Sequence, residues 1–182
     1  VSIRPGWFYH SKEDSLVKSP DKLVDIYFSS VGRNGVLLLN IPPDKRGLIT
    51  DFDIAALKGM KKILDKTFKV NFAANAKIKS SNMKKTFNAS LIGGNTYWTT
   101  TNNIHSSEVE FILPSEKTFD VAMLQEEIRV GQRIEKFHLE YWTGKEWKKI
   151  IEGTTVGYKR LLKFDAVKTN RVKLVIEKSR LN

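Results

Sequence analysis

The stretch SIRPGWFYH, residues 2–10, gathers an arginine, three consecutive aromatic rings and a histidine between Arg4 and His10. Such a set has two uses. Trp7 can present a flat apolar face to a ligand while the Arg4 guanidinium orients a hydroxyl or a neighbouring carboxylate. The same residues can instead fill a core, with Arg4 bracing the loop at Pro5-Gly6. Material this dense is unusual at a chain start, which is ordinarily polar and loosely held. Residue 1 is therefore not expected to be a natural start.

Other reactive groups are sparse. General acid–base chemistry needs two carboxyls in different surroundings. The adjacent Glu13 and Asp14 lie in the charged loop HSKEDS and read as solvated. There is no Cys, which removes disulfides and thiolate metal sites without fixing the compartment. His105 and His138 lack the paired spacing of metal ligands. The formal net charge of +11 and pI near 9.7 raise a nucleic-acid reading. The surplus is +3 over residues 1–68 and +8 over 69–182. In the latter, Glu126, Glu127, Arg129, Arg133, Glu135 and Lys136 are intermixed, with no helix-turn-helix, zinc-finger or stacking-ribbon pattern to organise them. A solvated mixed-charge surface is expected, not nucleic-acid binding. No apolar run approaches the roughly 18 residues of a membrane span, so no membrane insertion is expected. No signal peptide is visible, which carries no weight if residue 1 is a cut point.

The elements that must position these residues fall into two halves. Residues 1–68 read as α/β. VLLLN (36–40) is a continuous apolar run, the pattern of a strand buried on both faces of a parallel sheet. The prolines of IPPDKRGLIT make the next stretch a loop, with Thr50 and Asp51 available to cap a helix. From Asp51 to about Thr67, Ile54, Leu57, Met60 and Leu64 recur at helical spacing. LVDIYFSSV (23–31) is a buried segment, extended or helical. One or two strands and a helix do not close a parallel sheet, so this half looks like the tail of a larger barrel or open sheet. Residues 69–182 change to period two. EVEFIL (108–113) turns Val109, Phe111 and Leu113 to one face. FHLEYW (137–142) does so with Phe137, Leu139 and Tyr141, and RVKLVIE (171–177) with Val172, Leu174 and Ile176. TGKEW supplies a turn at Gly144, and Trp147 is expected to pin a strand pair. This is the grammar of an antiparallel sandwich.

SIRPGWFYH, YFSSVGRNGVLLLNIPPDKRGLI and DFDIAALKGM together resemble the C-terminal end of the catalytic domain of family 29 glycoside hydrolases, the α-L-fucosidases. MLQEEIRVGQRIEKFHLEYW and EGTTVGYKRLLKF resemble a discoidin-like (coagulation factor C-type) domain, a jelly-roll sandwich fold that includes family 32 carbohydrate-binding modules. The resemblance implies an α/β tail of a (β/α) barrel over 1–68 followed by an all-β sandwich over 69–182. It implies a retaining glycosidase with one carboxylate as nucleophile and another as acid/base, about 5 Å apart. In the family both lie upstream of SIRPGWFYH, so no catalytic residue is expected in this chain, and the chain alone is expected to be inactive.

The resemblance places SIRPGW at a late barrel strand and the loop at its C-terminal end, the side where barrel enzymes build their sites. Trp7 matches the tryptophan that lines the fucose pocket, where an apolar ring can cover the C6 methyl of the deoxysugar. Arg4, His10 and Asn40 are further candidates on the same rim, and Tyr97 is the candidate in the sandwich. Trp98 is expected in the core, while Trp142 could be exposed or covered by the barrel. Many sandwiches of this type hold calcium near a loop that here reads LIGGNTYW. Gly93 stands where an Asp would be expected, and Glu177 offers one oxygen without a strong second, so no metal and no cofactor is expected. The implied partners are fucosylated glycans and the rest of the barrel, in a secreted or periplasmic setting. The alternative is a stand-alone carbohydrate-binding module without hydrolase activity.

Overall fold

The computed structural model describes residues 1–80, 82, 97–101 and 104–180, and divides into two compact units, Val1–Val70 and Asn71–Asn182.

In the first unit, Val1–Ile3 runs parallel to Leu38–Asn40. The terminal amine donates to the Leu38 carbonyl at 3.0 Å, the Asn40 N–H to the Val1 carbonyl at 2.8 Å, and the Ile3 N–H to the Asn40 carbonyl at 3.0 Å. A 3-10 turn, Ser11–Leu16, leads to α1, Pro20–Ser29, and after a loop to α2, Asp51–Thr67. Both helices begin as their sequences dictate. Ser19 accepts from the Lys22 N–H with Pro20 at the first helical position, and Thr50 accepts from the Asp53 N–H. LVDIYFSSV is thus resolved as helix through Ser29. After it, Asn34 takes a left-handed φ of 66°, a conformation Asn tolerates, and the Gly35 N–H closes on the Ser30 carbonyl. The helices approach at Gly59, where an added Cβ would stand 2.5 Å from Pro20 Cγ, so only glycine allows the contact. Ile3, Leu23 and Ala56 form the buried centre, with Ile26, Leu39, Leu57 and Met60 against it.

VLLLN departs from expectation. Beyond the bridge at Asn40 it is not a regular strand, and Val36 and Leu38 are 92% and 75% exposed. The reason is pairing: a parallel strand buried on both faces needs neighbours on both edges, and among the described residues of this unit only Val1–Ile3 pairs with it.

The second unit contains β1 (Lys77–Lys79), β2 (Ser107–Leu124), β3 (Ile134–Trp142), β4 (Trp147–Gly153) and β5 (Arg160–Ser179). They form one antiparallel sheet in the order β1-β2-β5-β3-β4. The period-two segments all lie in strands, but β2 and β5 are longer than their apolar alternation suggested. The register of this pair shifts between Ile112 and Lys117, and again between Phe119 and Val121. Past those bulges the two continue as a ribbon, whose Ala122, Leu124, Leu162 and Phe164 pack against the same cluster as Phe137 and Leu139 of β3. A bulge bends a strand, and the bend folds the ribbon over the sheet to make the second layer of a sandwich. Gly153 lets β4 close on this core: a Cβ there would sit 2.7 Å from the Phe137 ring.

The opposite face of the sheet is a charged lattice, because the outward positions of the alternating strands are polar. Arg171 bonds Glu110 at 2.6 Å, Lys173 pairs with Glu108 at 3.2 Å, and Lys136 with Glu177 at 2.5 Å. Trp142 and Trp147 are cross-strand partners in an edge-to-face pair with centroids 5.4 Å apart, so Trp147 does pin its strand pair. Arg171 lies over both rings, at 5.0 and 5.1 Å.

Candidate functional site

The candidate site is the loop that follows Ile3, and its scaffold is a buried arginine. Arg4 is fully buried. Its Nε donates to both Asp53 oxygens at 3.1 Å. Its Nη2 reaches Asp53 Oδ2 at 2.7 Å, Thr50 Oγ1 at 2.9 Å and Asp14 Oδ1 at 2.9 Å. The Thr50 hydroxyl in turn donates to Asp53 at 2.5 Å. Burial disfavours the arginine charge, but the hydrogen bonds that Arg4 donates to Asp53 and Asp14, with their negative charge, outweigh it and raise the Arg4 pKa above its ordinary value. The start of α2 is thereby locked to the loop before Pro5. This corrects the reading of Asp14 as a solvated carboxylate: its partner lies ten residues upstream and is brought to it by the 3-10 turn. Glu13 is also half-buried, its carboxylate 3.3 Å from where a Gly6 Cβ would be.

The other candidates fall around this anchor. Asn40 Nδ2 donates to the Trp7 carbonyl at 2.8 Å and to Ser2 Oγ at 3.2 Å, while Ser2 Oγ donates to the Gly6 carbonyl at 2.8 Å. The Lys18 ammonium adds a bond to the Ser2 carbonyl at 2.7 Å. Asn40 therefore holds the Arg-Pro-Gly-Trp turn rather than projecting freely. The turn sets Trp7 and Phe8 into solvent, 54% and 75% exposed. Tyr9 folds back, its ring 4.9 Å from the Arg4 guanidinium carbon. His10 is exposed at an open cleft lined also by Tyr9, Lys12 and Asp44.

In the sandwich, Tyr97 and Trp98 are half-buried and outside any strand. Residues 91–96 of LIGGNTYW lie outside the described residues, so the calcium loop is not placed. Glu177, the one oxygen donor considered for it, bonds the His138 ring at 2.6 Å and Lys136 at 2.5 Å. The Lys136 bond, then the His138 bond, lower its pKa from the ordinary carboxylate value. Among the described residues no group of three His, Asp or Glu could hold a metal ion, and no helix is long and apolar enough to cross a membrane. Sequence reasoning missed Asp53, Asp14 and Ser2 as supports of the site. The Thr50-x-x-Asp53 spacing was a visible signal for the helix start, but nothing marked its attachment to Arg4.

The chain thus combines an antiparallel β-sandwich unit with an α/β unit whose aromatic loop is braced by a buried arginine. Residues 72–182 match the F5/8 type C domain family, and residues 1–69 match the Alpha-L-fucosidase family. Alpha-L-fucosidase 1 of Arabidopsis thaliana is 39% identical over 190 residues, spanning 99% of this chain and 37% of that protein. A solved structure of a candidate α-L-fucosidase from Bacteroides thetaiotaomicron is 39% identical with a TM-score of 0.91, covering 100% of this chain and 41% of that one. A Ruminococcus gnavus GH29 fucosidase, solved in complex with fucose, is 32% identical with a TM-score of 0.87, covering 97% of this chain and 37% of that one. The chain belongs to the F5/8 type C, discoidin-like, family through residues 72–182, and its residues 1–69 match the Alpha-L-fucosidase family model. It spans little more than a third of the length of the Arabidopsis relative.

Proposed function

We propose that this chain is the C-terminal portion of a retaining α-L-fucosidase that removes terminal α-L-fucose from glycans. In this reading Val1–Val70 is the tail of the (β/α) barrel, and the sandwich binds carbohydrate or braces the barrel. The observation that carries it is the Trp7 loop. An aromatic pair is held out in solvent by the network around the fully buried Arg4 and by the Asn40 bond to the Trp7 carbonyl. Exposing two large rings costs stability unless something else is gained, and a rigid support is what a binding site requires. Trp7 is the substrate contact, covering the apolar side of the deoxysugar. Arg4 and Asn40 are positioning residues, and His10 stands on the approach. Tyr97 is the sugar contact proposed for the sandwich. The half-exposed parallel edge at Val36–Asn40 is where further barrel polypeptide docks, and the enzyme acts in a secreted or periplasmic compartment.

The chain alone is inactive in this reading. Asp53 and Asp14 are engaged by Arg4 and unavailable as a nucleophile and acid pair. The test uses an aryl α-L-fucoside. The isolated chain gives no turnover above background. In the barrel-complete enzyme, Trp7→Ala raises KM more than it lowers kcat, the pattern of lost uniform binding. Turnover by the chain alone, or unchanged constants in the variant, would refute the reading.

A further inference from the structure

The cleft beside the Trp7 loop has a chemical character of its own. It is an open depression of about 610 Å3, formed by Tyr9, His10 and Lys12 on one side and Asp44, Lys45 and Arg46 on the other. Three cations face one carboxylate. Arg46 is tied to Asp44 by two hydrogen bonds, at 2.7 and 3.0 Å. Asp44 is in turn fixed by the backbone N–H groups of Arg46 at 2.8 Å and Leu48 at 3.2 Å, with Gly47 at a φ of 78° closing the turn. Lys12 and Lys45 are exposed and make no hydrogen bond or ion pair among the described residues. The pair Arg46–Asp44 is therefore internally neutral, and the two lysines leave the cleft with uncompensated positive charge. Its inner wall is rigid, because Tyr9 lies against the buried Arg4 guanidinium.

We infer that this cleft accepts an anionic group, a sulfate ester or a carboxylate, carried by the sugar next to the one that Trp7 covers. The inference rests on the proposed role of Trp7, because Tyr9 and His10 lie two and three residues after that ring in sequence and continue the same loop. What lies beyond the Trp7 pocket is the remainder of the glycan. A concave site with two free ammonium groups, an imidazole and a phenol hydroxyl matches one compact anion with neighbouring hydroxyls. It is too short for a polyanion track, which needs a row of cations along a backbone.

The test reads binding directly on the 182-residue chain, with N-acetylglucosamine 6-sulfate, glucuronic acid, neutral N-acetylglucosamine and inorganic sulfate as probes. Side-chain NMR of His10, Lys12 and Lys45 reports the site. The sulfated sugar, the uronic acid, or both shift these signals, with the stronger one identifying the source of the charge. The neutral sugar does not shift them. The Lys12→Ala/Lys45→Ala chain binds about fivefold more weakly or worse, and affinity falls as salt screens the exposed charges. Equal binding of the neutral sugar, unchanged binding by the double variant, or inorganic sulfate binding as well as the sulfated sugar (an adventitious ion only) overturns the inference. Fucosidase turnover is read separately on the barrel-complete enzyme with a neutral aryl fucoside. A failure of that reading and a failure of this one therefore appear in different experiments.

Discussion

The two units use their apolar residues in opposite ways. Of the exposed large hydrophobic residues among the described residues, eleven lie in Val1–Val70, the smaller unit, and five in Asn71–Asn182. Val36, Leu38, Phe8 and Phe52 stand in solvent in the first unit, whereas the alternating Val109, Leu139 and Ile176 of the sandwich are covered. Leaving a large aliphatic side chain exposed forfeits roughly 1.5–3 kcal/mol, so several of them consume much of the margin of a small unit. The difference teaches that the sandwich covers its own alternating apolar residues, whereas the first unit leaves many of its own exposed, as the proposed barrel tail requires. What the first unit does hold tightly is polar, the Arg4 cluster, and that cluster serves a loop rather than a core.

The sharpest way to break this comparison is to remove the centre of each unit. Phe137→Ala empties a fully buried site in the sandwich and should cost about 3–5 kcal/mol. Asp53→Ala leaves the fully buried Arg4 charge without its main partner and should cost a similar amount, about 3–5 kcal/mol. Amide exchange distinguishes them. The first variant should speed exchange at Leu139 and Leu174, and the second at Ile3 and Leu23. If Asp53→Ala leaves Ile3 and Leu23 protected, the polar anchor is not what holds the first unit.

Asn40→Ala is a smaller perturbation that sharpens the same point. It removes the side-chain bonds to the Trp7 carbonyl and Ser2 Oγ and should lower stability by about 1 kcal/mol. The larger consequence should be positional. The Trp7 indole N–H resonance should broaden or shift while the sandwich resonances stay in place. An unmoved Trp7 signal would mean that the Arg4 network alone fixes the loop.

Leu38→Ser tests the exposed edge. Leu38 is 75% exposed in this chain, so denaturation should change by no more than about 0.5 kcal/mol. If the proposed barrel covers this edge, the same substitution in the longer protein should cost about 1.5–3 kcal/mol, the value of a covered leucine. Equal effects in both contexts would show that no polypeptide covers this edge.

The sequence announced local features well and distant pairings poorly. α2 was legible because Thr50 caps it and Leu57 and Met60 recur on one face, and both do pack on the core cluster. The strands were legible from alternation at Val109, Phe137 and Ile176. The full length of β2 was not, because Pro114, Ser115, Glu116 and Lys117 look like a turn. In the structure they are the bend that starts the outer ribbon, exposed enough to tolerate polar residues. Asp14 read as solvated because a carboxylate's partner is invisible without the fold. Arg4 was legible as a group able to brace its loop or orient a carboxylate, but its attachment to Asp53, 49 residues away, was not. VLLLN read as a strand from composition alone, and composition does not say how many neighbours a strand has. The lysines of the cleft were seen only as members of two separate loops, and their convergence is a property of the fold.

The smallest expected effect lies in the charged turns of the sandwich, and it separates the units by pH. Glu127 accepts from Arg129 at 2.7 and 2.5 Å and from the Arg129 backbone N–H at 3.1 Å. The side-chain bonds first, then the backbone bond, lower its pKa from 4.5 to about 2. Glu135 and Glu177 are lowered as well, by lysine and arginine and by lysine and histidine partners respectively. In the first unit the lowered carboxylate is Asp44, on the exposed loop of the cleft. A depressed carboxylate stabilises the folded state above its unfolded pKa, and that contribution disappears as pH falls through the folded value. For Glu127 the window therefore runs from 4.5 down to about 2. Titration by carboxyl NMR should give a midpoint near 2 for Glu127, and Arg129→Ala should move it back toward 4.5. Because the pair is exposed, salt near 1 M should weaken the shift, the Debye length there being about 3 Å. Acid should therefore loosen the turn at Ile128–Val130 and the outer lattice of β3 and β5 before it reaches the core around Phe137. A Glu127 midpoint that stays near 4.5, insensitive to Arg129→Ala, would show that the exposed ion pairs of the sandwich are incidental, and that its stability rests on the apolar layer alone.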